Sequence, residues 1–233
     1  MHGSHSAAAL AVSAALLLPA GAGAVTFGSS LGTNRPANAG FGCESALRPN
    51  VFTGAPELQP TGHNTCSLRS NGRIGSNRNW AGVPRRGRIT SYAVRGGRNP
   101  ARVRLTIFTG SIQYDPEFDP NTGSGNTYSC CTARFHGPIF RPPAGGVARR
   151  PANIRVYNFR GRNGRAFFDV VGLTVIGPGS LPLFTEGRHF GFQNGSAMTT
   201  FYYPFARIGE PRPESNAVDG LELLLRWNFI PTT

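Results

Sequence analysis

Apolar and polar residues alternate along much of this chain, whereas the spacing typical of amphipathic helices is nearly absent. Residues 101–109 place Val103, Leu105 and Ile107 on one side of an extended segment and polar residues on the other, which predicts a half-buried strand. The apolar run 165–177 is longer and predicts a strand that is covered on both faces. The same alternation predicts further strands over 88–95, 153–159, 197–205 and 221–229.

Turn-forming residues separate these stretches, since the chain contains 31 Gly and 19 Pro. Roughly seven to ten short strands joined by turns predict an all-β fold, an antiparallel β-sandwich with jelly-roll-like architecture. A parallel sheet would need crossover helices, which the pattern does not contain. Residues 34–86 are rich in Gly, Pro, Asn and Ser and predict an irregular N-terminal arm, pinned by cysteine, within a segment 25–86 that also holds the first strands. The main sandwich is expected over 87–230.

The N-terminus has the composition of a secretory signal peptide. An apolar run over residues 7–18 precedes the small-residue pattern Ala22-Gly23-Ala24, which is typical of a cleavage site. We therefore expect a signal peptide over 1–24 and a single mature domain over 25–233. No later segment is apolar enough to span a membrane, so the protein is expected outside the cell or associated with the envelope.

Two of the four cysteines are neighbours, Cys130 and Cys131. Four cysteines in an exported protein allow three disulfide patterns. Successive side chains of a strand point to opposite faces, so bonding these two separately to Cys43 and Cys66 requires partners that approach from both sides. We favour Cys43–Cys66 together with Cys130–Cys131, and the two cross-pairings remain open. The bond between neighbours is strained, because adjacent Cα atoms are about 3.8 Å apart whereas ordinary disulfides span about 4.4–6.8 Å.

The charge is strongly positive: 24 basic residues, all of them arginine, stand against 11 acidic residues, for a net charge of +13. Guanidinium groups bind carboxylates and phosphates through paired hydrogen bonds. Alternation places Arg102 and Arg104 on one solvent face, where they are expected to form a cationic ladder with Arg95 or Arg155 on neighbouring strands. The candidate ligand-binding residues are Arg95, Arg102, Arg104, Arg155, Tyr92 and Tyr157.

A surface of arginines and aromatic rings suits acidic glycans or other extracellular polyanions. The chain contains no motif that reads a nucleic-acid groove, so specific nucleic-acid recognition is not expected. A solvated basic surface without a ligand is the alternative interpretation of the same arginines.

An acidic stretch precedes the neighbouring cysteines. Oxygen-bearing side chains recur at every second residue, as Ca²⁺ coordination in a loop requires, at Asp115, Glu117, Asp119 and Asn121. Pro120 stands where the EF-hand loop needs glycine, and no glutamate closes the loop. Ca²⁺ is therefore the one cofactor candidate, and an acidic loop that pairs with arginines is the alternative.

The sequence contains no recognisable catalytic motif. The histidines of the mature chain, His63, His136 and His189, have no metal-ligand spacing, and H-E-x-x-H does not occur. The pattern G-x-S-x-G occurs once, at residues 28–32, but no helical pattern follows it, so it does not predict a nucleophile elbow. No spacing singles out a pair of carboxylates for glycoside cleavage. Asp169 lies inside an apolar run and is expected to be hydrogen-bonded. We assign no catalytic residue.

The order of motifs "GFGCE", "NTC", "GRITSYAVR", "ARVRLTIF", "CC", "FFDVVGLTVIGPGSLPL" and "VDGLELLLRW" resembles a group of secreted proteins of GC-rich bacteria. The likeness covers about residues 40–229. The resemblance implies an all-β sandwich that follows a signal peptide. The group has no assigned activity, so it contributes no functional residues.

Together these observations favour a secreted, non-catalytic β-sandwich that binds a cell-envelope or environmental polysaccharide or another polyanion. Two alternatives remain open: a structural envelope protein without a discrete ligand, and a polysaccharide-active enzyme on a jelly-roll scaffold.

Overall fold

A computed structural model describes residues 23–34, 36–38, 40–49, 56–71, 83, 85–113, 127–160, 165–185, 198–211, 216–219 and 221–232. The described residues form strands and loops and contain no helix, which confirms the all-β prediction. The strands are β1 (Val25–Gly28), β2 (Ser45–Pro49), β3 (Pro56–Pro60), β4 (Thr65–Asn71), β5 (Gly87–Arg95), β6 (Arg102–Gln113), β7 (Thr127–His136), β8 (Val147–Val156), β9 (Asn158–Arg160), β10 (Arg165–Ile176), β11 (Leu183–Thr185), β12 (Met198–Tyr202), β13 (Asn216–Asp219), β14 (Leu221–Leu223) and β15 (Leu225–Pro231).

Two antiparallel sheets make up most of the fold. The smaller sheet has the strand order β1-β15-β5-β8, and the larger sheet has the order β13-β12-β4-β10-β6-β7, with β9 paired to one end of β10. The chain crosses repeatedly from one sheet to the other, for example from β4 to β5 and from β7 to β8. Such crossings are typical of jelly rolls, in contrast to simple up-and-down meanders.

One apolar core joins the two sheets. Leu105 of β6 and Leu173 of β10 belong to the same buried cluster as Ile89 of β5 and Trp227 of β15. Because these residues come from both sheets, their inner faces pack against each other as a sandwich.

The faces of the strands that are buried are the ones that the alternating pattern predicts. Val103, Leu105 and Ile107 are buried and face the core between the sheets. In β10, Val171 faces the same core, whereas Val170 packs in a second cluster on the opposite side of the larger sheet. The long apolar run is therefore covered on both faces, as predicted.

The N-terminal arm is more regular than its composition indicates. Residues Thr65–Asn71 form β4, which lies inside the larger sheet between β12 and β10. The disulfide between Cys43 and Cys66, predicted above, joins the arm to this strand, and both cysteines are fully buried. Ser, Asn and Gly content marks turns but does not exclude a short strand whose backbone is paired on both edges.

Cys131 of β7 is also disulfide-bonded. The side chain of Cys130 lies outside the described residues, so the bond between the two neighbours stays a prediction.

Two predicted strands are interrupted. The alternating stretch 221–229 divides at Leu224, so that β14 pairs with β11 while β15 joins the smaller sheet. The stretch 153–159 divides at Tyr157 into β8 and β9, which belong to different sheets. In 221–229 the alternation continues through the break, because it records which residues face the core and does not indicate the sheet to which a strand belongs. In 153–159 it ends at Val156, since Asn158, the next position of the same face, is exposed.

Candidate ligand-binding surface

The outer face of the smaller sheet carries arginines from three neighbouring strands. In β15, Leu225, Trp227 and Phe229 point into the core. Successive side chains of a strand point to opposite faces, so the residues between them point outward. The register gives the outer rows Arg226–Ala93–Arg149, Asn228–Ser91–Pro151 and Ile230–Arg88–Arg155 across β15, β5 and β8. We call this surface the basic face.

A row of hydrogen bonds crosses the middle of the basic face. The hydroxyl of Thr26 in β1 donates to Oδ1 of Asn228 at 2.7 Å, and Nδ2 of Asn228 donates to the hydroxyl of Ser91 at 2.8 Å. The row fixes the orientation of the amide and leaves hydroxyl groups at the surface.

Arginines stand on both sides of this row. Arg226 and Arg149 flank the small side chain of Ala93 in register, where a hollow of about 310 Å³ forms between the strands. Nη1 of Arg226 donates to the carbonyl of Ser30 at 3.1 Å, so the loop after β1 holds one rim of the hollow. The small side chain of Ala93 leaves space between the two arginines.

A second pair of arginines lies at the other end of the face. Arg88 and Arg155 are direct cross-strand partners, and Nη1 of Arg88 donates to Oδ1 of Asn153 at 3.0 Å. They line a hollow of about 160 Å³ together with Arg86 and Tyr157. Like charges opposite each other in a sheet are destabilising, so an anion between them would relieve the repulsion.

These arginines have no carboxylate partner in the described part of the chain. Arg134 and Asp169 form an ion pair at 2.6 Å, but both belong to strands of the larger sheet. Arg149 and Arg155 are exposed and make no ion pair with any described residue. Their positive potential therefore extends into the solvent over about 8 Å at physiological ionic strength.

The structure separates the residues that were predicted to form one cationic ladder. Arg102 and Arg104 belong to β6 in the larger sheet, whereas Arg95 and Arg155 belong to β5 and β8 in the smaller sheet. The ladder prediction is therefore wrong: only Arg155 is on the basic face, and its cross-strand partner is Arg88.

Arg95 and Tyr92 are largely buried. Arg95 is 9% exposed, and its guanidinium donates to the carbonyls of Gly145 at 2.9 Å and Leu31 at 2.6 Å, so it joins the loop after β1 to the loop after β7. Tyr92 is 4% exposed and points into the core, where burial raises its pKa while the charge of Arg150 acts in the opposite direction. Neither side chain offers a surface for a polymer.

Tyr157 occupies the boundary between β8 and β9. The guanidinium carbon of Arg134 lies 5.2 Å from the centre of its ring, and the ring borders the hollow beside Arg155. Of the two predicted tyrosines, this one lies next to the basic face.

The outer face of the larger sheet is covered by a segment that follows β12. Residues 203–211 cross this face, held by backbone bridges from Thr132 to Pro211 and from Ala133 to Ile208. Phe205 in this cover segment lies under the guanidinium of Arg104, whose carbon is 5.3 Å from the ring centre. Burial lowers the pKa of Arg104, while Arg102 is exposed at the edge of the covered area.

A closed circuit of hydrogen bonds lies under the cover segment. Ser67, Thr174 and Thr106 are linked hydroxyl to hydroxyl at 2.9 and 2.7 Å, and Thr106 contacts Nδ1 of His136 at 3.1 Å. Nε2 of His136 contacts the carbonyl of Ala206 at 3.1 Å, and the amide of Ala206 donates back to Ser67 at 3.1 Å. Four strands and the cover segment contribute one residue each.

Asp169, the acid inside an apolar run, is hydrogen-bonded as predicted. It is 1% exposed and accepts bonds from the hydroxyl of Thr109, from Nε and Nη2 of Arg134 and from the backbone amide of Tyr157. Both carboxylate oxygens accept hydrogen bonds from the protein itself, so Asp169 holds β6, β7 and β10 together and joins them to the backbone at Tyr157.

The predicted calcium ligands, Asp115, Glu117, Asp119 and Asn121, lie outside the described residues, and their prediction stays open. Among the residues that are described, no three His, Cys, Asp or Glu side chains come together in a metal-binding group. The described part of the chain also contains no helix long and apolar enough to cross a membrane.

The chain stands apart in comparisons with other proteins: no family model, no curated protein and no solved structure matches it. The class that the geometry defines is an antiparallel β-sandwich whose smaller sheet carries a basic face, with no carboxylate partner for its arginines among the described residues.

Proposed function

We propose that this protein is a secreted binding module that holds an acidic polysaccharide, of the cell envelope or the surroundings, on the basic face. The observation that carries the proposal is the position of Arg88, Arg149, Arg155 and Arg226 on one sheet face without a described carboxylate partner. Arginine suits this task because its planar group binds carboxylates and sulfates through two parallel hydrogen bonds.

The shape of the face favours a chain over a small molecule. Arg149 and Arg155 are six residues apart on β8, which corresponds to about 20 Å along a strand. The two hollows lie in succession along β5, one beside Ala93 and the next beside Arg88. A ligand that reaches both must be extended and must carry repeated negative charges.

The hydroxyl and amide groups between the arginines favour a sugar chain. Ser91, Thr26 and Asn228 form a polar row whose outer surface can exchange hydrogen bonds with hydroxyl groups. A polymer that supplies only phosphates leaves this row unused. Nucleic acid is therefore the less favoured polyanion, and the experiment distinguishes the two.

The test is a binding measurement with polygalacturonate as the acidic glycan, dextran as the uncharged glycan and single-stranded DNA as the phosphate polymer. The charge-reversal variant R149E/R155E changes two exposed residues of the basic face. Its control, R102E/R207E, makes the same change in net charge on the opposite side of the sandwich, where both arginines are exposed.

We expect wild-type protein to bind polygalacturonate more tightly than dextran and to lose this preference as salt rises, because counterions compete for the arginines. The basic-face variant should bind at least tenfold more weakly, and the control less than threefold. Equal losses in both variants would show that net charge alone attracts the polymer, and this outcome would overturn the proposal. A preference for DNA that R149E/R155E abolishes would reassign the face to nucleic acid.

A further inference from the structure

A separate cleft of about 1020 Å³ lies at one end of the sandwich and shares no lining residue with the two hollows of the basic face. Four segments line it: residues 36–38, 40–42 and 44 of the arm, the loop after β5 over 97–99, the loop before β8 at 144–145 and the loop after β10 over 178–180. Loops that converge at the end of a β-sandwich are the usual position for a recognition site on this scaffold.

Backbone hydrogen bonds hold the walls of the cleft to one another. The amide of Asn38 donates to the carbonyl of Leu183 at 3.0 Å, and the amide of Leu181 donates to the carbonyl of Phe41 at 3.2 Å. Across the cleft, the amide of Ser180 donates to the carbonyl of Asn99 at 2.7 Å. These bonds join the arm to the strand ends, so the cleft exists before any ligand arrives.

The disulfide strengthens the same wall. Cys43 stands between Phe41 and Glu44, both of which line the cleft, and its bond to Cys66 anchors this part of the arm to β4 inside the larger sheet. A site that is already ordered loses less conformational entropy when it binds, which raises affinity for a given set of contacts.

The chemistry of the lining differs from that of the basic face. Glu44 and Arg98 are exposed, and neither forms an ion pair with another described residue. The carboxylate of Glu44 repels a polyanion, whereas the basic face has no described acid. The half-buried ring of Phe41 and the exposed amide of Asn99 complete a lining of planar polar groups beside an aromatic ring.

We infer that this cleft binds the uncharged sugar units of a glycan, as a second site distinct from the basic face. Carboxylate, guanidinium and amide groups each form paired hydrogen bonds with neighbouring hydroxyls, and an aromatic ring contacts the apolar side of a sugar ring. The volume lies at the upper end of the range for small-molecule clefts, about 300–1,000 Å³, so it holds more than one sugar unit. The inference does not require the basic face to bind anything.

Gly40 offers a direct way to block the cleft. It lines the space, and a Cβ atom added there would meet no other atom within 4 Å. A side chain at this position starts from open space, so G40W adds an indole at the wall of the cleft without crowding at its Cβ. Ile208 is a matched control, because it is 60% exposed on the cover segment of the larger sheet, and I208W adds a ring away from the cleft.

The experiment titrates the full oxidised chain, by calorimetry at high salt, with hexasaccharides of cellulose, mannan and chitin and with the zwitterionic dipeptide alanyl-alanine. High salt suppresses attraction to the arginines. We expect saturable binding of at least one hexasaccharide, weakened at least tenfold in G40W and unchanged in I208W and in R149E/R155E. The variants E44Q and R98A should each weaken binding at least threefold, and they provide a second test in case G40W unfolds.

Absence of saturable binding to all three hexasaccharides would overturn the inference. So would binding that G40W, E44Q and R98A all leave intact. Binding of the dipeptide without any hexasaccharide would reassign the cleft to peptide ends. Because R149E/R155E is expected to retain hexasaccharide binding, failure of the basic-face proposal and failure of this one give different results.

Discussion

Nδ1 of His136 lies 3.1 Å from the hydroxyl of Thr106, and this contact together with the one on the other side of the ring determines how the imidazole is protonated. The other ring nitrogen, Nε2, contacts the carbonyl of Ala206, which can only accept a hydrogen bond. Nε2 must therefore carry the proton, and Nδ1 of the neutral ring accepts the proton of Thr106.

The direction of the remaining bonds follows from this one. Thr106 donates to His136, so Thr106 accepts from Thr174, and Thr174 in turn accepts from Ser67. Ser67 accepts from the amide of Ala206, which closes the circuit with every donor pointing the same way round. A second proton on His136 would face the donor of Thr106 and break the circuit.

The first prediction concerns pH. Burial and, to a smaller extent, the positive charge of Arg104 lower the pKa of His136 to about 4, against the opposing effect of the bond to Ala206. In the unfolded chain the pKa returns to about 6.5. Between these values the unfolded state binds more protons, so the free energy of unfolding falls as pH decreases from about 6.5 to about 4.

Chemical denaturation of wild type and of H136Q across pH 4 to 7 checks this prediction. The difference in the free energy of unfolding between wild type and H136Q should decrease as pH decreases through this window, because glutamine does not titrate. If the free energies of unfolding of wild type and H136Q change in parallel with pH, His136 does not govern the acid sensitivity. The effect is reduced by the partial exposure of the ring, through which solvent screens the charge.

A second prediction tests the circuit without changing charge. Thr174→Val keeps the shape of the side chain but removes the hydroxyl that joins Ser67 to Thr106, both of which are buried. Leaving buried polar groups unpaired costs about 1–3 kcal/mol, so we expect that loss in the free energy of unfolding. Thr90→Val, on a half-buried residue of β5, is the control and should change it by less than about 0.5 kcal/mol. Equal effects in the two variants would contradict a structural role for the circuit.

The sequence predicted the faces of the strands better than their partners. Alternation identified Val103, Leu105 and Ile107 as core residues, because a period of two depends only on local geometry. It could not tell that β6 joins the larger sheet while β5 joins the smaller one, since pairing depends on contacts between distant segments. For this reason Arg102 was assigned to the wrong neighbours.

Part of the basic face could be predicted from the sequence. Arg226 lies between the apolar residues Leu225 and Trp227, so alternation predicts that its side chain points outward. Around Arg149, by contrast, polar residues follow one another, and the sequence shows no clear alternation. The register that aligns these two arginines on either side of Ala93 is set by long-range pairing. The circuit around His136 was missed for the same reason, because it draws single residues from four strands.

A third prediction concerns the disulfide. The bond joins residues 23 positions apart, and its removal restores to the unfolded chain the freedom of a loop of that size. The expected cost of the double variant C43A/C66A is about 3 kcal/mol in the free energy of unfolding. The same variant should bind hexasaccharides more weakly, since the wall that carries Phe41 and Glu44 loses its anchor. Unchanged stability in denaturant would contradict this account of the arm.

The last prediction concerns Asp169 and tests whether this acid has a structural or a catalytic role. Asp169→Asn keeps the volume of the side chain but replaces one acceptor oxygen by a donor, which then faces the donors of Arg134 and Tyr157. Breaking a mostly buried ion pair of this kind is expected to cost roughly 2–4 kcal/mol, less than for a pair hidden completely, because Arg134 is 35% exposed. Thermal and denaturant unfolding measure the loss, and Asn153→Asp on the exposed part of β8 controls for a change of the same two residue types. If D169N is as stable as wild type, the ion pair is not what holds β6, β7 and β10 together. A buried acid with no structural role would then favour the alternative that the protein is an enzyme.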